Sequence, residues 1–77
     1  MLIILCCSML HAQQDFSLFV MDDETERPIP GALVFVSQKS VGITHWNGTL
    51  TVRAACKENV TVKMMGYADG FISLQCN

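Results

Sequence analysis

With 77 residues the chain has room for one domain and one hydrophobic core. Its formal charge is −2 and its five basic residues are nowhere clustered, so a nucleic-acid backbone or an anionic membrane surface finds nothing to grip, and both are excluded as partners. The apolar fraction, 51%, is high, and the first ten residues inflate it.

Met1-Leu2-Ile3-Ile4-Leu5-Cys6-Cys7-Ser8-Met9-Leu10 is almost wholly apolar. It is too short for a membrane-spanning helix, which needs about 20 apolar residues, but it matches the apolar centre of a secretory signal peptide. Leu10-His11-Ala12 supplies a cleavage site, so residues 1–12 are expected to be removed and residues 13–77 to form the exported domain. The Lys or Arg that usually follows the first Met in such leaders is missing, and an N-terminal strand or buried helix is the competing reading. The abrupt polar stop at Gln13-Gln14-Asp15 favours the leader. The mature chain would then hold no transmembrane helix and reside in the periplasm, at the outer membrane, or outside the cell. Cys6 and Cys7 would depart with the leader, leaving Cys56 and Cys76 in an oxidising compartment. They either stay unpaired or form a disulfide closing a loop of about 20 residues, for a stabilisation on the order of 3 kcal/mol.

In the mature chain, alternation dominates. Phe16, Leu18 and Val20 alternate with Ser17, Phe19 and Met21, a strand apolar on both faces and therefore internal or covered. Asp22-Asp23-Glu24-Thr25-Glu26-Arg27-Pro28 is a polar surface loop. Pro28 and Pro30 cannot serve a central ladder, Gly31 frees the backbone, and Ala32–Ser37 reads as a strand covered on both faces. Gln38-Lys39-Ser40 turns the chain into a short strand, Val41–Thr44. Asn47-Gly48 is the strongest hairpin signal present, pairing that strand with Thr49–Arg53 and setting Ile43 beside Leu50 and Val52. Thr49–Arg53 and Asn59–Lys63 repeat one pattern, with Leu50, Val52, Val60 and Val62 facing inward. A turn at Gly66-Tyr67-Ala68-Asp69-Gly70 leads to a last strand, Phe71–Gln75. Tyr67 is expected to lie over the sandwich edge with its hydroxyl bonded to backbone. Six to seven short strands without helical periodicity make an all-β sandwich.

Taken together, Asp22, Thr25, Pro28-Ile29-Pro30-Gly31-Ala32, Val34, Val36, Gly42, Thr44, Gly48, Leu50, Val52, Val60 and Gly66-Tyr67 resemble the carboxypeptidase regulatory-like domain. That resemblance covers the mature chain and implies a transthyretin-like (prealbumin-like) Greek-key sandwich. It further implies a non-catalytic role, since such domains stand beside metallocarboxypeptidases or as the periplasmic N-terminal extension of TonB-dependent outer-membrane receptors, above all the nutrient receptors of Bacteroidota. A leader followed directly by the domain is similar to the second arrangement, with the chain a receptor's leading domain or a stand-alone copy of one. The family commonly carries an acidic residue after the threonine at position 44, where this chain has His45-Trp46.

Chemistry is argued by what is missing. Once the leader is gone His45 is the sole histidine, and neither a zinc site nor a Ser-His-Asp device has its partners. No His-Glu-x-x-His is present, so peptidase activity does not follow from the family's name. The Tyr-Arg-Gly-Ser ending of transthyretin-like hydrolases is absent, and no lysine lies on the first strand for an isopeptide bond. Asp22-Asp23-Glu24-Thr25-Glu26 lacks the spacing and central glycine of a calcium loop and reads as a solvated turn. No catalytic, cofactor or metal residue is assigned, and the expectation is a protein that is not an enzyme. The candidate interaction residues are Trp46 and His45, with Trp46 at or near a loop tip. Its ring is expected to fold back over the sheet edge; exposed, it would anchor a protein or stack on a glycan. Two functions follow: an envelope module that packs against a protein partner, or a secreted module binding glycan or protein through the Trp46 loop.

Overall fold

The computed structural model describes residues 2–7 and 13–75. Seven strands, and no helix among the described residues, build two antiparallel sheets: β1 (Leu2–Cys7), β2 (Gln13–Asp22), β3 (Leu33–Val36), β4 (Lys39–Ile43), β5 (Thr49–Ala55), β6 (Asn59–Lys63) and β7 (Gly70–Ser73). The first sheet runs β1-β2-β5 and the second β4-β3-β6-β7, so β2 is the internal strand its two apolar faces predicted. The expected small all-β sandwich is the fold observed. Cys76 and the whole region between β1 and β2, which includes the Ala12 cleavage position, lie outside the described residues.

Alternation fills the space between the sheets. Phe16, Leu18 and Val20 from β2, Val34 and Val36 from β3, Val52 and Ala54 from β5, and Val60 and Val62 from β6 form one buried cluster with Ile29, Ala32 and Leu74. Leu50 and Ile72 pack against it partly buried. Met21 bridges to Pro28, which draws the Pro-Ile-Pro segment along the end of β2 while Ile29 drops into the core. Gly31 adopts φ +74° with open space around it, so conformation rather than crowding calls for glycine there.

Two turns depart from expectation. β3 and β4 are joined by Ser37-Gln38, with φ of +48° and +68°, one residue earlier than the Gln38-Lys39-Ser40 turn predicted. The two central positive φ values are those of a tight hairpin turn, here carried by two residues that pay for left-handed backbone. Asn47-Gly48, by contrast, makes no hairpin: β4 and β5 belong to different sheets, so the expected pairing of Ile43 with Leu50 and Val52 does not form. The chain crosses between sheets at this point. A Cβ on Gly48 (φ +78°) would stand 2.6 Å from the Val20 carbonyl oxygen and 3.0 Å from Pro28 Cβ. The glycine serves a close approach between segments distant in sequence.

β3 is also not covered on both faces. Val34 and Val36 are sealed inside, while Leu33 is exposed and Phe35 half-buried on the other side. An apolar run signals two covered faces only where a further layer lies outside the sheet.

Candidate functional site

The outer face of the second sheet follows from strand register. Leu33 lies opposite Ile43 on one side and Lys63 on the other; Phe35 lies opposite Ser40 and Thr61; Thr61 in turn lies opposite Phe71. Their neighbours Val34, Val36, Val60 and Val62 point inward, so these residues share the solvent face. Phe71 is 74% exposed, Ile43 54% and Leu33 46%, a density of apolar surface that a face serving only as an outer wall does not need. Two adjoining clefts of about 600 and 340 Å³ share Gln38, Thr61 and Phe71, forming one shallow trough between the Ser37-Gln38 turn and β7. Lys63 ties into the trough, its ammonium 5.8 Å from the Phe35 ring centroid and 3.9 Å from an Asp69 carboxylate oxygen. Exposed pairs of this kind contribute little stability, and what they set is the polar rim of the apolar strip.

The predicted candidates sit elsewhere. Trp46 is 84% exposed at the tip of the crossing loop, which corrects the expectation that its ring folds back over the sheet edge. The loop is short and closed beneath it: the His45 amide donates to the Thr49 carbonyl at 2.9 Å, and the Gly48 amide returns to the His45 carbonyl at 2.9 Å, which holds the ring away from the sheet. His45 is exposed beside it. The Thr44 hydroxyl and Asn47 Oδ1 are engaged within the protein. Asn47 Oδ1 accepts from the Thr49 hydroxyl at 2.6 Å and from its amide at 3.3 Å. Thr44, buried, accepts at its hydroxyl from the Ala32 amide (3.0 Å) and donates to the Ile29 carbonyl (2.7 Å). The loop therefore presents an aromatic ring with one exposed polar neighbour, His45, and not the several convergent donors and acceptors that orient a sugar.

Tyr67, expected to bond its hydroxyl to backbone at the sandwich edge, finds a side chain instead. Its hydroxyl donates to Asp22 Oδ2 at 3.0 Å, side chain to side chain, not to backbone. The other carboxylate oxygen accepts from the Glu24 and Thr25 amides at 2.8 and 3.1 Å. These two amide bonds, with the phenol, hold the Asp22 carboxyl below its ordinary value, and the same contact, reinforced by burial, raises the Tyr67 phenol. The carboxylate that headed the acidic turn is thus spent on structure. Among the described residues no group of three His, Cys, Asp or Glu is placed to hold a metal ion.

Cys56 takes part in a disulfide and accepts a hydrogen bond at 3.5 Å from the buried Gln14 carboxamide. Its expected partner, Cys76, lies outside the described residues. The segment after Cys56 is bonded to the end of the last strand, the Lys57 amide donating to the Leu74 carbonyl at 2.8 Å and the Leu74 amide to the Glu58 carbonyl at 2.9 Å.

Sequence reasoning missed the outer face because it treated Leu33-Val34-Phe35-Val36 as covered twice. The alternating phase of Leu33 and Phe35 against Val34 and Val36 was the available signal. No family model matches the chain, and no curated protein or solved structure matches it.

Proposed function

We propose that the chain is a non-catalytic, exported module of the cell envelope that works by packing against a protein partner. The observation that carries this reading is the apolar outer face of β4-β3-β6-β7, with Leu33, Ile43 and Phe71 exposed on it, a trough lined by Phe71, and a Lys63–Asp69 rim. An apolar centre edged by charge is the anatomy of a protein contact. Residence as the periplasmic leading domain of a TonB-dependent receptor, or as a stand-alone copy of one, is the setting that fits this role and the resemblance to carboxypeptidase regulatory-like domains. Recognition of glycan through Trp46 is less well supported, because Asn47 and Thr44 spend their polar groups inside the protein.

The test is site-specific photocrosslinking in the exporting cell. A crosslinker replacing Phe71 is expected to give one discrete adduct in the envelope fraction, and one replacing Thr51, exposed on the other sheet, none. Adducts from Trp46 alone would replace this reading with the loop-binding one.

A further inference from the structure

The register of β1 on β2 defines a strand-acceptor site. On one side of β2 the Val20 amide donates to the Gly48 carbonyl at 2.8 Å and the Asp22 amide to the Arg27 carbonyl at 2.9 Å. Because the direction of the N–H alternates along a strand, the amides of Ser17, Phe19 and Met21 face the opposite way. There they meet β1, with Cys7, Leu5 and Ile3 directly opposite. β1 also touches β7, so it closes the seam between the two sheets on that side, as β4 against β5 does on the other. The segment that fills this seam is the same apolar stretch whose composition reads as a removable leader.

Removing residues 1–12 would strip the six pairings from Leu2↔Asp22 to Cys7↔Ser17. It would leave as an unpaired edge the strand whose Phe16, Leu18 and Val20 are 0–1% exposed. An edge with unpaired N–H and C=O groups beside an opened core is a template for strand addition. We propose that leader removal makes the outer edge of β2 an acceptor for one extended strand of a partner protein, uncharged, apolar, about six residues long and running antiparallel to β2. The occupant's chemistry is set by the segment seated there, since Leu2–Cys7 holds neither a charge nor a proline and is antiparallel over its full length. This inference rests on the export reading above and adds a second contact, at an edge of the first sheet, to the outer face of the second.

Intact mass of the chain as expressed in the exporting cell comes first: loss of residues 1–12 is expected, and a retained leader overturns both the export reading and the acceptor. The cleaved protein is then titrated with a synthetic Leu-Ile-Ile-Leu-Ser-Ser peptide flanked by lysines, serine standing for both cysteines, against a control with proline at its third position. Hydrogen exchange at Ser17, Phe19 and Met21 is expected to slow at least tenfold with the first peptide only, Leu18 and Val20 changing little. If the cleaved chain does not fold alone, recovery of strand circular dichroism on adding the first peptide and not the control supports the same site. Unchanged exchange at the three amides, or amides already slow without peptide in a monomer or a dimer of this chain, overturns the acceptor while leaving the export reading intact.

Discussion

The two faces of the sheet β4-β3-β6-β7 are made by alternating residues of the same strands, yet they perform different work. Val34, Val36, Val60 and Val62 close against Phe16, Leu18 and Val20 of the facing sheet. One residue along, Leu33, Phe35, Thr61, Lys63 and Phe71 lie on the outer face, with no further layer over them among the described residues. Stability resides on the first face because burial there is mutual and complete; the second spends apolar side chains that folding does not recover. The crossing loop repeats the contrast over two residues, from Thr44, buried with its hydroxyl bonded on both sides, to Trp46 in solvent.

The widest separation between the faces should come from truncation. Leu74→Ala, removing a side chain with no exposure at all, is expected to cost about 2–5 kcal/mol in urea unfolding. Phe71→Ala on the outer face should change stability by less than about 0.5 kcal/mol. Equal costs would erase the division. Thr44→Val comes next: it keeps the shape but leaves the Ala32 amide and Ile29 carbonyl without their partner, for a loss of about 2–4 kcal/mol, whereas Thr44→Ser should retain most of the stability. Gln38→Gly works in the other direction, relieving positive φ in the tight turn and raising stability by about 1 kcal/mol, read from the same denaturation curves.

The Asp22–Tyr67 contact sharpens the picture through pH. The Asp22 carboxyl is lowered in the folded protein, so its contribution is present above the ordinary value of 3.8 and is lost as pH falls through the folded value. The Tyr67 phenol is raised, so its contribution is present below the ordinary value of 10.0 and fades as pH climbs through the folded one. Tyr67→Phe should therefore lower the melting temperature most between these limits and least beyond them. No deficit at any pH would show that the ring's packing, which phenylalanine keeps, and not the hydrogen bond, holds the sheets there.

Much of this organisation is legible before any coordinates. The inward phase of Val52, Val60 and Val62, the internal position of β2, the exposed acidic turn and the all-β sandwich follow from period-two patterning. Turn chemistry is less so. Ser37-Gln38 lacks the glycine or asparagine that announces left-handed backbone, and Asn47-Gly48 has them for a reason no local rule contains: the Val20 carbonyl and Pro28 press against the glycine from more than 19 residues away. Tyr67 finds Asp22 across 45 residues, and a corner tyrosine carries no sign of which acceptor the fold will bring to it. Whether Leu33 and Phe35 meet a second layer is likewise decided by the order of strands, not by their own sequence.

The central claim is that the outer face of the second sheet, and not the Trp46 loop, is the working surface. Carbene footprinting of the exported chain, purified and in its native envelope, tests it most directly. Leu33, Ile43 and Phe71 are expected to label strongly in the purified protein and to lose most of that labelling in the envelope, with Trp46 labelled equally in both. Protection of Trp46 with the outer face still labelled would contradict the account.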